Sequence, residues 1–286
     1  LLILSCLTSI SIYSQQNYYV SGSLGDNNNA GKSENSPFQT INRAFDNAEP
    51  GDTIYVMDGT YTNPDYGTAN PHSSDGSQST NMNNPPAVIV NKSGTAGNYI
   101  TLRNLPGHNP KIKFDGRGGI LISGPQSYLI IEGFEIEGPG ASITYDQAIA
   151  DRKWKVKADQ EDLNYNHSYF ASFGIWSGFS QDFLHHHVII RNNIVHHTTG
   201  SGIRFNDSDH ITIENNTVYN TTWWTSNASS AIVFAECKAL SNNDNGDDIK
   251  MIMRGNTVYN NRNRIPFYMT SGKIPPNGNP PSGSYG

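Results

Sequence analysis

Four side chains in the second half of the chain are of types that can act on an anionic group. These are Arg204, Lys238, Tyr268 and Lys273. The arginine guanidinium is a planar, permanently charged fork that matches a carboxylate. Tyrosine and lysine can move a proton when their neighbours tune them. Trp176, Trp223 and Trp224 offer apolar rings of the kind that stack on sugars, and Lys153 and Lys155 add positive charge that an acidic chain would meet. Asp207 and Glu236 are carboxylates that could share a Ca²⁺, a hard ion that takes several oxygens; two carboxylates alone do not complete such a site.

Whether these groups can work together depends on the elements that carry them. Ser201–Asn220, SGIRFNDSDHITIENNTVYN, contains three short β-patterned runs at Gly202–Phe205, Ile211–Glu214 and Thr217–Tyr219, separated by polar corners. The pattern recurs in HVIIRNNIVHH (His187–His197) and KMIMRGNTVYN (Lys250–Asn260). The step from Ile190 to Ile213 is 23 residues, one coil; that from Ile213 to Met253 is 40, one coil plus an insertion. Such self-similarity predicts a solenoid whose coils bury their apolar side only by stacking. The fold class expected is all-β, a right-handed parallel β-helix.

Side chains alternate along a strand. In the first run of each coil, Ile120, Ile175, Ile203, Ile232 and Phe267 should point inward. Leu121, Trp176, Arg204, Val233 and Tyr268 should form an outward column. Asn193, Asn216 and Asn256 share one corner, where stacked amides can hydrogen-bond along the axis. His196, Tyr219 and Tyr259 read as exterior packing, and His185–His187 as solvent-exposed residues ahead of a strand.

Net charge is −6 with no basic run, which argues against a nucleic-acid partner. Hydrophobic content of 35% with abundant Gly, Asn and Ser suits short strands joined by tight corners. Leu1–Tyr13 reads as the apolar part of a secretory signal without its charged start, cleaved near residue 15, leaving residues 16–286 as the β-helix domain. The run is too short to span a bilayer. Ile3–Cys6 only loosely resembles a lipoprotein box, so a secreted rather than lipid-anchored protein is expected. After cleavage Cys237 stands alone, excluding an intrachain disulfide. Gly272–Gly286 has no closing strand or cap, and the chain is expected to be a monomer cut at both ends.

Thr40–Ala48 is predicted to be a short helix with Ile41, Ala44, Phe45 and Ala48 on one face, plugging the open end of the solenoid. Pro37–Tyr61, PFQTINRAFDNAEPGDTIYVMDGTY, resembles the opening segment of the pectate-lyase-like right-handed β-helix superfamily. Gly94–Pro110 followed by Phe114-Asp115-Gly116 is similar to the next coil of that group. The resemblance implies the fold. It leaves the reaction open among lyases for pectate, alginate and chondroitin, glycoside hydrolases and non-catalytic proteins. In that superfamily a polysaccharide lies along the face that here carries Arg204.

Three insertions, Gly138–Ser172, Thr221–Ser230 and Glu236–Asp248, abut that face. Thr62–Pro86 and Gly138–Ser172 read as long loops. Uronate β-elimination needs a neutralised carboxylate, a base for the C5 proton and, where required, a donor to the leaving oxygen. Arg204 would neutralise; Tyr268, Lys273 or Lys238 would transfer the proton. The partner expected is an acidic polysaccharide, with Ca²⁺ at Asp207 and Glu236 as the cofactor to test. Two alternatives stand beside this reading: hydrolysis by Asp207 paired with Glu236, and a silent carbohydrate-binding β-helix. The surface alternative for Arg204 is an ion pair with Asp207 or Asp209. Asp244–Asp248 lacks the downstream Glu of an EF-hand loop and reads as an acidic surface loop.

Overall fold

The computed structural model describes residues 15–71, 80–179, 182–227, 229–240 and 248–265. The signal-like segment, Tyr268, Lys273 and Asp244–Asp247 lie outside the described residues. Alternating apolar positions produce short strands, and stacking these yields three sheets whose strand pairings are all parallel. The first sheet stacks Val88–Val90, Gly118–Ile122, Phe173–Ser177, Ile203–Asn206 and Ile232–Ala235. The second stacks Asn17–Val20, Thr53–Val56, Ile100–Asn104, Ser127–Glu132, His185–Arg191, Ser208–Glu214 and Met251–Arg254. The third stacks Thr60–Thr62, Lys111–Lys113, Glu135–Glu137, Ile194–His196, Thr217–Tyr219 and Thr257–Tyr259. From Val88–Val90 onward, each coil visits the sheets in the order first, second, third. The architecture is a right-handed parallel β-helix, with Ile203, Phe205, Ile211, Ile213 and Val218 of one coil buried in its core.

The corner between second and third sheets explains the Asn-Asn pairs. Asn192, Asn215 and Gly255 adopt positive φ (56°, 56° and 64°), a conformation open to Gly and tolerated by Asn. The next residue in each coil turns its amide inward. Asn216 Nδ2 donates to the Ile190 carbonyl (3.0 Å) and to Asn256 Oδ1 (3.0 Å), while Asn216 Oδ1 accepts from the Asn193 backbone N–H (3.0 Å). The predicted amide stack is therefore present, and it satisfies buried backbone groups that a sharp corner would strand.

Helix α1 (Ile41–Asn47) begins where Thr40 Oγ1 accepts from the Arg43 N–H. Ile41, Ala44 and Phe45 are buried where it packs on Asn17–Val20, Thr53–Val56 and Val88–Val90, as its periodicity predicts. The insertion after Gly138 differs from its expectation as a loop. It contains a 17-residue helix, α2 (Tyr145–Glu161), opened by a Thr144/Gln147 capping box and closed by Asp162 at φ 53°. The T-x-x-Q signature was legible; the absence of a clean apolar stripe hid the helix, because its inward positions include the charged Asp151, Arg152 and Lys155.

The outer face of the second sheet carries a charge ladder, in which Arg103 (3.2 Å) and Arg191 (2.5 Å) both reach Glu132. One coil further along, Arg254 Nη2 lies 2.7 Å from Glu214.

Candidate functional site

The expected outward column on the first sheet is in register. Leu121 pairs with Trp176, Trp176 with Arg204, and Arg204 with Val233. Tyr268, its expected fifth member, lies outside the described residues. Insertions enter this sheet ahead of Phe173 and Ile232 and leave it after Ala235, so the face is flanked on both sides.

The rings do not present themselves as expected. Trp176 is only 3% exposed and packs against Phe173, 5.7 Å away between centroids, so its face is not open to stack on a sugar. Trp223 and Trp224 are 9% and 7% exposed and belong to a second apolar core with Met82, Ile143, Tyr169 and Phe170. Their indole N–H groups donate to the Asn260 carbonyl (2.9 Å) and the Gly140 carbonyl (2.7 Å). The tryptophans therefore tie the insertions together, because burying an indole with its N–H satisfied is worth more than leaving it on the surface. Lys155 is likewise buried on α2, 2.9 Å from Asp159 and 5.2 Å from the Tyr165 ring, whereas Lys153 is exposed.

Arg204 occupies a different setting from the surface ion pair considered above. Its Nε donates to Asn206 Oδ1 (3.0 Å), and its guanidinium carbon lies 6.0 Å from the Phe173 ring and 5.5 Å from the Phe179 ring. Among the described residues no carboxylate comes within ion-pair distance of it. Burial pushes its pKa down from the usual value, and the Glu236 charge pushes back. Beside it, Asn206 Nδ2 is buried with no hydrogen-bond partner among the described residues. Asp207 instead holds Lys238, and Asp209 accepts from the Leu240 N–H (2.7 Å) and lies 3.2 Å from His210.

Asp207 and Glu236 follow register partners Asn206 and Ala235, so they stack at one corner, both at positive φ (43° and 53°). Asp207 is buried and already paired with an ammonium, while Glu236 is exposed. This donor set falls short of the six to eight oxygens that Ca²⁺ takes. Among the described residues the convergent group of possible metal ligands lies on the third sheet: Glu135, Glu137 and His196, with ligand atoms within 4.8 Å of one another. Lys111 bridges Glu135 (2.8 Å) and Glu137 (3.0 Å), and Lys113 reaches Glu137 (3.1 Å), so ammonium groups already occupy that cluster.

The histidine run is part of the scaffold, contrary to its exposed reading. His185 is buried and begins a strand of the second sheet. His187 stacks between Tyr128 (4.7 Å) and His210 (4.5 Å). Burial, reinforced by the His210 charge, pushes the pKa values of His186 and His187 down. The expected exterior stack of His196, Tyr219 and Tyr259 is present, with centroids 4.9 and 5.0 Å apart. No described helix is long and apolar enough to cross a membrane.

Three parallel sheets, an asparagine corner and a capping helix define a right-handed parallel β-helix. The chain belongs to the family described as Protein of unknown function (DUF1565), which it matches over residues 23–267. Among solved structures it is similar to pectate lyase Pel9A, at 17% identity and TM-score 0.49 over 89% of this chain and 56% of that one. A rhamnogalacturonan lyase matches at 15% and 0.39, covering 87% of this chain and 70% of that one. The GH136 lacto-N-biosidase from Eubacterium ramulus matches at 15% and 0.45, covering 77% of this chain and 34% of that one. The chain thus spans little more than half the length of the pectate lyase. No curated protein matches.

Proposed function

We propose that the protein is a secreted polysaccharide lyase that cleaves a uronate-containing polymer, of the alginate or pectate kind, by β-elimination. The observation that carries this reading is Arg204: a half-buried cation, set among aromatic rings on the flanked face, with no carboxylate partner among the described residues. Buried charges are ordinarily paired, so a lone one that the fold retains points to a charged ligand. The guanidinium would hold the uronate carboxylate as a fork, with Asn206 Nδ2 as an adjacent donor. Neutralising the carboxylate stabilises the negative charge that develops when the C5 proton leaves.

Lys238, held on Asp207, places a second cation on the same corner and is the described candidate for donating a proton to the leaving oxygen. Tyr268 and Lys273 are proposed to share in proton transfer. The hydrolase alternative is weaker on this geometry, because Asp207 is engaged by Lys238. A covalent or acid–base pair of carboxylates needs both groups free to face the glycosidic bond.

The test is ultraviolet absorbance over time on alginate, pectate and chondroitin, with and without chelator. Rising absorbance from an unsaturated uronide, unaffected by chelator, is expected. Reducing ends released without that absorbance would establish hydrolysis instead. Binding without either product would leave a silent carbohydrate-binding β-helix. Loss of the absorbance on chelation would return Ca²⁺ to Asp207 and Glu236.

A further inference from the structure

The insertion that contains α2 buries a carboxylate for which the elimination reading above has no use. Asp151 sits on the inward side of α2 and is 3% exposed. Tyr165 Oη donates to Asp151 Oδ2 (2.6 Å), and His167 Nδ1 lies 2.5 Å from Asp151 Oδ1. Burial pushes the Asp151 carboxyl up, and the contacts from His167 and Tyr165 pull it back. Lys155 and Asp159 of the same helix are the next charged groups around this pair.

Such a contact sets the tautomer of a neutral imidazole. In that form the proton would sit on Nδ1, toward the carboxylate, and Nε2 would keep its lone pair. His167 is 13% exposed at its side chain, and Nε2 makes no hydrogen bond among the described residues. A buried carboxylate thus orients a ring whose other nitrogen makes no hydrogen bond among the described residues.

The segment that follows His167 joins the coil of Arg204 at Tyr169 and Ser172. Thr199 Oγ1 donates to the Tyr169 carbonyl (2.8 Å), and the Gly200 N–H donates to the Ser172 carbonyl (2.9 Å), just ahead of the strand that carries Arg204. The same segment ends at Phe173, whose ring faces the Arg204 guanidinium.

We propose that His167 is the general base of the elimination, with Asp151 as its positioning residue; this assignment rests on the lyase reading. His167 Nε2 takes the C5 proton. The electrons of the C5–H bond form the C4–C5 double bond, and the C4–O bond breaks with its pair leaving on oxygen. That oxygen is protonated by Lys238 or by water.

The experiment compares initial rates of elimination for the wild-type protein, His167→Gln and His167→Ala, the last with and without added imidazole, together with melting temperatures. Loss of a general base is expected to lower kcat by about 10²–10⁴-fold with KM changed only a few-fold. Imidazole should restore part of the His167→Ala rate, which it would not do for a purely structural histidine. A second variant, Tyr165→Phe, leaves the Asp151–His167 contact in place and should keep kcat within about tenfold even if His167→Ala melts early. Wild-type elimination with His167→Gln within about threefold, or no imidazole rescue of a folded His167→Ala, overturns the assignment and leaves the lyase reading standing. A flat wild-type trace on every uronate polymer overturns both.

Discussion

Replacing Arg204 by methionine separates binding chemistry from packing. Methionine keeps the aliphatic stem against Phe173 and Phe179 but removes the charge. On the cost side, Asn206 Oδ1 loses its donor, about 1–3 kcal/mol, and the cation–π contact at 5.5 Å from Phe179 is lost, about 0.5–1 kcal/mol. On the other side, a half-buried cation with no carboxylate partner among the described residues no longer has to be desolvated, a relief of several kcal/mol in a dry site and less at partial exposure. These terms nearly cancel, so stability should stay within about 1 kcal/mol of the wild type, a melting shift of no more than about 4 °C. Activity should behave otherwise. Losing one preorganised donor to a developing negative charge costs about 10²–10³-fold in kcat, and the fork supplies more than one. Arg204→Lys keeps the charge without the planar fork and should fall between the two. The assay pairs calorimetric melting with the absorbance rate on the best uronate polymer. A methionine variant destabilised by more than about 3 kcal/mol, or one that keeps its rate, would refute the argument that the fold tolerates this cation for the sake of a ligand.

Asn216→Ala strands the buried Asn193 N–H and removes four further side-chain bonds, and should cost about 3–5 kcal/mol by urea denaturation. Asn216→Asp should be worse at neutral pH, because it turns a carboxylate toward the Ile190 and Glu214 carbonyls. Trp224→Ala should lower stability by about 3–5 kcal/mol and loosen the insertions, seen as faster proteolysis within residues 138–172. On the third sheet, burial raises the Glu137 pKa, but hydrogen bonds from Lys111 and Lys113 outweigh it and hold the carboxyl below its usual 4.5. A depressed folded-state value stabilises the fold above the unfolded value and is lost as pH falls through the folded one, so melting temperature should drop below about pH 4.5. Replacing Lys111 and Lys113 together by methionine should flatten that acid limb; an unchanged limb would mean these ion pairs contribute nothing to it.

The coil repeat, the three strand runs and the asparagine corner were all readable in the chain, because a stacked solenoid repeats the same local demands every turn. The Asn193, Asn216 and Asn256 amides sit where the repeats place them, and Arg204 lies in the column that alternation along Ile203–Asn206 requires. The insertions were not readable in that way, since no neighbouring coil repeats them. Trp176, Trp223 and Trp224 are ring types that serve equally at a sugar site or in a core, and only their packing against Phe173, Tyr169 and Phe170 assigned them to the interior. Asp151 and His167 carry no signal in their spacing. They meet because α2 ends at Asp162 in a left-handed turn that sends the chain back along the helix. Sequence by itself determined the periodic part of this protein, where local pattern and global fold impose the same constraint. Tertiary structure alone decided which polar groups converge, because convergence depends on how aperiodic insertions bury one another.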